Sequence, residues 1–229
     1  MNLHFIRSPK ARSAVLDEVY TLLVRRGHEV SESVPDHSLL DLDAVPRHDV
    51  YILKARTKLA MGFAGALHRR GARLLDPYPA CALLMDKVVA TAAMRKAGIP
   101  TPRSWALSDP LLLRAGEMAG RWPLVLKPVD GIHSQGVRVV RHPEDLDAIS
   151  PQGPMLVQEF VEGCTERLKV HCVGERVFAT WKPFSLGGRH EEGRAREVGD
   201  ELREIAVRCG RLFGICRTGN QRSATRETR

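Results

Sequence analysis

Apolar and polar positions follow two different periods along this chain, and the order in which the periods succeed one another predicts its fold. Asn2-Leu3-His4-Phe5-Ile6 reads as a first strand. Lys10 to Arg26 reads as a helix, with Ala14, Val15, Leu16, Val19, Leu22 and Leu23 on one face and Gly27 closing it. Short strands follow at Glu29-Val30 and Asp49 to Leu53. A second amphipathic helix, Thr57 to Arg70, ends at Gly71 before the strand Arg73-Leu74-Leu75. Strand and helix in this alternation predict a parallel α/β unit.

The segment Asp76-Pro77-Tyr78-Pro79 breaks the pattern and marks a boundary. Beyond it the spacing predicts a helix over Ala80 to Ala97, stopped by Gly98 and Pro100, then an extended piece, Pro102 to Leu107. A helix over Pro110 to Ala119 is expected, followed by strands at Pro123–Val129, Val137–Val140 and Met155–Val161. A hairpin comes next, Arg167–Val173 and Val177–Trp181, turning at Gly174-Glu175, and a last helix runs from Gly199 to Phe213.

Composition narrows the picture. The 229 residues are 43% hydrophobic and 27% charged, the balance of a folded globular chain rather than a disordered or collagenous one. No apolar run reaches the roughly 18 residues that span a bilayer. The first five residues lack the basic and apolar regions of an export signal, so a cytoplasmic location is expected. Five cysteines, an odd number with no C-x-x-C pair, are read as reduced core thiols. The net charge of +8 favours an anionic partner: nucleotide phosphates, a phosphorylated small molecule or nucleic acid. With 5% aromatic residues and no recognition-helix signature, nucleic acid is the weaker reading.

The candidate chemistry lies between residues 86 and 182. Asp86-Lys87 stands at a helix start, where a carboxylate satisfies the helix dipole and a lysine can aim a charge at a phosphate or simply be solvated. Lys127 ends the apolar strand Leu124-Val125-Leu126. An ammonium emerging from a buried strand needs a partner, and either a phosphate or a neighbouring carboxylate would supply it. In the loop Asp130 to Gly136 the glycines allow successive backbone N–H groups to converge on an anion, with His133 and Ser134 as further donors; an exposed polar hairpin loop reads the same way. Gln158, Glu159, Phe160 and Val161 follow an apolar strand and could offer backbone groups to an adenine edge, or form an ordinary edge strand. Alternation places Arg167, Lys169 and His171 on one face ahead of Lys182, a set suited to an anion or to solvent.

As an ordered set these motifs resemble the ATP-grasp superfamily, most closely its RimK-like amino-acid ligases and the related inositol polyphosphate kinases. The resemblance runs from about Asp76 to Phe213. It is carried by Asp86-Lys87, Gly98-Ile99-Pro100-Thr101-Pro102, Leu126-Lys127-Pro128, Gly131 to Gly136, Gln158 to Val161, and Leu168-Lys169-Val170. It implies an α/β chain, α+β in its second half. A pre-ATP-grasp domain would occupy residues 1–78 and an ATP-grasp module residues 79–215, with a central lid over about 100–157 and a partial lobe over 158–215. It further implies ATP as ligand, a small-molecule or peptide acceptor, and activation of a carboxylate as an acyl phosphate that an amine then attacks. Lys87 and Lys127 would contact the phosphates from opposite lobes, and Gly131, His133, Ser134 and Gly136 would close over them. Backbone of Gln158, Glu159, Phe160 and Val161 would read adenine, Glu162 or Glu166 would take the ribose, and Lys182 would join the nucleotide site. Lys169 would neutralise the transferring phosphoryl group.

The sequence departs from the pattern in two places. Arg167 stands where the family commonly has an acid. Mg²⁺ is expected of the family, but its usual ligands, an Asp or Glu and then a Glu-x-Asn after the last helix, are not found, so no metal ligand is assigned. The stretch 216–229 is nearly devoid of apolar residues and is expected to be a basic, disordered tail, the product of a premature end or a frame error. The module is therefore expected to be incomplete and impaired in catalysis, with a small-molecule kinase or a non-catalytic nucleotide-binding remnant as the alternatives.

Overall fold

A computed structural model of the chain describes every residue except 11, 44, 115–117, 119, 132–134, 151–152, 163–165, 184–192 and 216–229; for 166, 167, 182 and 183 it describes the backbone only. The chain divides into two compact units, Met1–Met85 and the residues from Asp86 onward.

In the first unit, runs of apolar residues build four short strands, β1 (Asn2–Arg7), β2 (Glu29–Ser33), β3 (Val50–Lys54) and β4 (Leu74–Leu75). They pair in parallel in the order β2-β1-β3-β4. Parallel neighbours need crossovers, and two helices supply them: α1 (Ala14–Arg25) between β1 and β2, and α2 (Lys58–Arg69) between β3 and β4. Each helix starts where a hydroxyl caps it. Ser13 Oγ accepts from Leu16 N, so α1 begins four residues later than periodicity suggests, and Thr57 Oγ1 accepts from Ala60 N. The core lies between α2 and the sheet, where Ala60, Ala64 and Leu67 pack on Ile6, Tyr51 and Leu74. Gly65 leaves room for the ring of Tyr78, which begins helix α3 (Tyr78–Met85); a Cβ there would sit 2.8 Å from that ring.

The second unit opens with α4 (Lys87–Lys96). The single helix expected over Ala80 to Ala97 is two helices. Asp86 has extended backbone, φ −99° and ψ 110°, and its Oδ1 accepts from Val88 N at 2.8 Å and Val89 N at 3.2 Å. A carboxylate that caps the following turn cannot also continue the preceding one. Strands β5 (Ser104–Leu107), β6 (Leu124–Pro128), β7 (Arg138–Val140) and β8 (Met155–Glu159) form an antiparallel sheet in the order β5-β8-β6-β7. One face carries the core: Leu124, Leu126, Val140, Met155 and Val157, with Trp105 and Leu107 packed against it. Of the helix expected over Pro110 to Ala119, Pro110–Arg114 is a 3₁₀ turn held by Asp109 through its carbonyl on Leu112 N and its Oδ1 on Leu111 N, and residues 115–117 and 119 lie outside the described set. A second antiparallel sheet follows, β9 (Glu166–Val173), β10 (Arg176–Pro183) and β11 (Arg194–Arg196), with β10 central. Helix α5 (Asp200–Leu212) packs on β9 and β10. The periodicity gave no sign of β11, whose three residues are all exposed. Among the described residues no helix is long and apolar enough to cross a membrane, and Cys81 and Cys209 are free thiols.

Candidate functional site

Lys87 and Lys127 meet at the C-terminal end of β6. Its side chains alternate: Leu124 and Leu126 enter the core, so Val125 and Lys127 face the other way. On β8 the same alternation sends Met155 and Val157 inward and puts Leu156 and Gln158 on the face of Lys127. On β5, Ser104 lies directly opposite Gln158. In register Gln158 stands between Ser104 on β5 and Val125 on β6, and Lys127, two residues along β6 on the same face, is its diagonal neighbour, an arrangement the chain reveals only once β8 is placed between β5 and β6. β8 is consequently a central strand of its sheet.

Lys127 is half-buried and its Nζ donates to Gln158 Oε1 at 2.6 Å. The partner is a neutral amide oxygen, where the sequence pointed to a phosphate or a carboxylate. Gln158 is buried, and its Nε2 donates to Ser104 Oγ at 2.9 Å; Ser104 Oγ donates to Pro102 O at 2.7 Å. Burial, and then the charge of Lys87, lower the pKa of Lys127 from the ordinary lysine value.

Lys87, the first residue of α4, approaches the same strand end. Its Nζ donates to Pro128 O and Val129 O, each at 2.9 Å, and to Gly131 O. The two ammoniums therefore lie within one unit and approach the same strand end. The loop after β6 folds back over Pro128. A Cβ on Gly131 would meet Pro128 Cβ at 3.2 Å, and one on Gly136, whose φ is +71°, would meet Pro128 Cγ at 2.7 Å. Gly136 is dictated by this close approach and by its positive φ, whereas at Gly131 the neighbours would have to give by a few tenths of an ångström. His133 and Ser134, expected to donate from this loop, lie outside the described residues.

At the far end of β8, Glu159 N donates to Arg103 O and Phe160 N to Pro123 O, so these two N–H groups are used within the sheet. The Glu159 carboxylate pairs with Arg121 at 3.6 Å, and Arg141 stands over the Phe160 ring at 5.7 Å. Val161 and Glu162 are exposed. On β9, Lys169 and His171 occupy alternate positions and are exposed, as the strand period requires. Glu166 pairs in register with Pro183, and Arg167 with Lys182; their side chains lie outside the described set. The sequence reading missed Ser104, Arg121 and Arg141. No spacing rule links them to the site, because they reach it through strand order and loop path. Residues 216–229, expected to form a tail, are outside the described residues.

An antiparallel sheet with paired lysines beside a glycine loop, next to a second sheet backed by a helix, defines a class. Residues 84–182 match the family model described as the ATP-grasp domain. The chain is similar to RimK-like ligases, as its motifs suggested. It is 27% identical over 210 residues to a probable alpha-L-glutamate ligase of Haemophilus influenzae, an alignment covering 82% of this chain and 65% of that protein. The chain thus spans somewhat less than two thirds of that relative's length. Among solved structures, a RimK domain ATP-grasp protein from Sphaerobacter thermophilus superimposes with a TM-score of 0.74 at 18% identity, over 93% of this chain and 82% of the other. The ATP-grasp ligase PsnB, complexed with minimal precursor, Mg and ADP, gives a TM-score of 0.66 at 21% identity, over 93% and 81%.

Proposed function

We propose that the chain binds ATP at the end of β6 and acts as an ATP-dependent carboxylate–amine ligase. The observation that carries this reading is the convergence of Lys87 and Lys127 on the end of β6, inside the stretch that matches the ATP-grasp domain. Two ammoniums close enough to lower a pKa repel one another, and a polyphosphate between them turns that cost into attraction. With the N–H groups of Glu159 and Phe160 committed to the sheet, the Val161 backbone is the group left for adenine. Glu166 and Lys182 would serve the ribose and phosphates, and Lys169 the transferring phosphoryl group.

In the proposed reaction an acceptor carboxylate oxygen attacks the γ-phosphorus and ADP leaves. An amine nitrogen then attacks the acyl carbon, inorganic phosphate departs, and the nitrogen loses its proton. Positive charge on this chain's lysines offsets the negative charge that builds on the transferring group. An acidic amino acid or a peptide is the proposed acceptor class, by likeness to the glutamate ligase and to PsnB with its precursor. For Mg²⁺, no group of three or more His, Cys, Asp or Glu among the described residues could hold a metal, so no ligand is assigned and no step is derived through it.

The test is ATP titration of purified protein by calorimetry, followed by phosphate release with and without amino-acid or peptide acceptors. Lys87→Met and Lys127→Met are each expected to weaken ATP binding by about tenfold or more, and Lys10→Met to leave it unchanged. Equal effects at all three positions would overturn the site. A phosphorylated polyol product would replace the ligase with a kinase, and binding without turnover under every acceptor would leave a nucleotide-binding remnant.

A further inference from the structure

We propose that Gln158 and Ser104 are positioning residues that hold Lys127 ready for the nucleotide phosphates, an inference that rests on the ATP-binding reading above. The argument is one of hydrogen-bond direction. An ammonium can only donate, so the group facing Lys127 Nζ at 2.6 Å must be the oxygen of the Gln158 amide. The amide nitrogen then points away and donates to Ser104 Oγ at 2.9 Å, which leaves the serine proton for Pro102 O at 2.7 Å. Every donor in the chain Lys127, Gln158, Ser104, Pro102 runs the same way, and the sequence ends on a carbonyl that cannot reverse it. Ser104 therefore fixes which end of the amide Lys127 meets. Gln158 is 8% exposed and Ser104 is part-buried, so neither has a full share of water to substitute for these partners.

Two consequences follow for the lysine. Its long side chain is already ordered before any ligand arrives, which removes part of the entropy cost of binding. Its anchor is neutral, and the charged group facing it is Lys87, so among the described residues no carboxylate competes with an incoming phosphate. A glutamate at 158 would occupy nearly the same volume and supply that competitor.

The experiment uses the full chain and two readouts. The first is the pH midpoint of Lys127 acetylation by an amine-reactive reagent, followed by mass spectrometry without nucleotide. The second is ATP affinity by calorimetry. Gln158→Glu is expected to raise the midpoint and weaken ATP binding by about tenfold or more. Gln158→Leu removes the anchor without adding charge and should weaken ATP binding by about two- to tenfold. Ser104→Ala should fall in that lower range, and Ser104→Thr, which keeps the hydroxyl, should restore wild-type affinity. An unmoved acetylation midpoint in Gln158→Glu, with wild-type ATP affinity in all four variants, would overturn the inference. If Lys127→Met loses ATP binding in the same series, the nucleotide site survives that failure. If Lys127→Met binds ATP as wild type does, the ATP-binding reading itself falls, and this inference falls with it.

Discussion

Acidification should unlock the first unit before the second, and His4 is the reason. Its ring lies between two serines, Nδ1 to Ser31 Oγ and Nε2 to Ser33 Oγ, each at 2.8 Å, with the His48 ring centroid 4.5 Å away. Burial, and then the charge of His48, lower its pKa from 6.5 to about 4, while Glu32 pulls in the opposite direction. Unfolded, the ring takes up its proton near pH 6.5; folded, only near pH 4. Between these values the unfolded state binds more protons, so stability falls as pH drops through 6.5 and levels off below about 4. At about 1.4 kcal/mol per pH unit the full gap would correspond to about 3 kcal/mol, which solvent screening of the partly exposed ring reduces to about 1–2 kcal/mol, still a sizeable part of the stability of a small domain. The three tryptophans, at positions 105, 122 and 181, all lie in the second unit, so their fluorescence does not follow this event. Urea unfolding monitored by hydrogen exchange of the β1 and β2 peptides, at pH 7.5 to 4, would follow it. His4→Gln, which cannot take up the proton, should flatten the pH dependence by about 1–2 kcal/mol across that range. Identical pH dependence in the two proteins, or a His4 ring that titrates near 6.5 by NMR in the folded chain, would refute the reasoning.

Other substitutions test the geometry directly. Gly136→Ala places a Cβ 2.7 Å from Pro128 Cγ at a φ of +71°. It should cost about 1–3 kcal/mol in thermal melts and weaken ATP binding, and unchanged melting with full affinity would count against a glycine-dependent loop. Asp86→Ala removes the acceptor for Val88 N and Val89 N; a loss of about 1 kcal/mol is expected, largely recovered by Asp86→Ser, as read by chemical denaturation. Gly65→Val should drive the Tyr78 ring out of its position over α2, lowering first-unit stability by about 1–3 kcal/mol with the tryptophan signal unaffected.

Strong local patterns made much of the architecture legible. The parallel α/β unit followed from apolar runs closed by Gly27 and Gly71, because positive φ at a helix end is a local demand that glycine answers. The ATP-grasp resemblance followed from motif order. Where competing local signals met, periodicity lost: Asp86 is compatible with a helix interior by pattern, yet its carboxylate caps α4 and splits the predicted helix in two. The same happened at Asp109, whose backbone and side chain wind Pro110–Arg114 into a 3₁₀ turn.

The residue types at the site were legible too: a lysine leaving a buried strand, a glycine-bounded loop, and Gln158 on an apolar run. What those side chains touch was decided by tertiary structure. β5 and β6 are near neighbours in sequence, but β8 pairs between them, and that insertion alone places Gln158 opposite Ser104 and diagonally beside Lys127. A sequence states how far apart residues lie along the chain and which face of a strand each takes. It does not state which strand lies beside which, because that order is set by the burial of Leu124, Leu126, Met155 and Val157 in a shared core. The partner of the Lys127 ammonium is a consequence of that packing, as is the placement of Lys87 on the carbonyls of Pro128 and Val129.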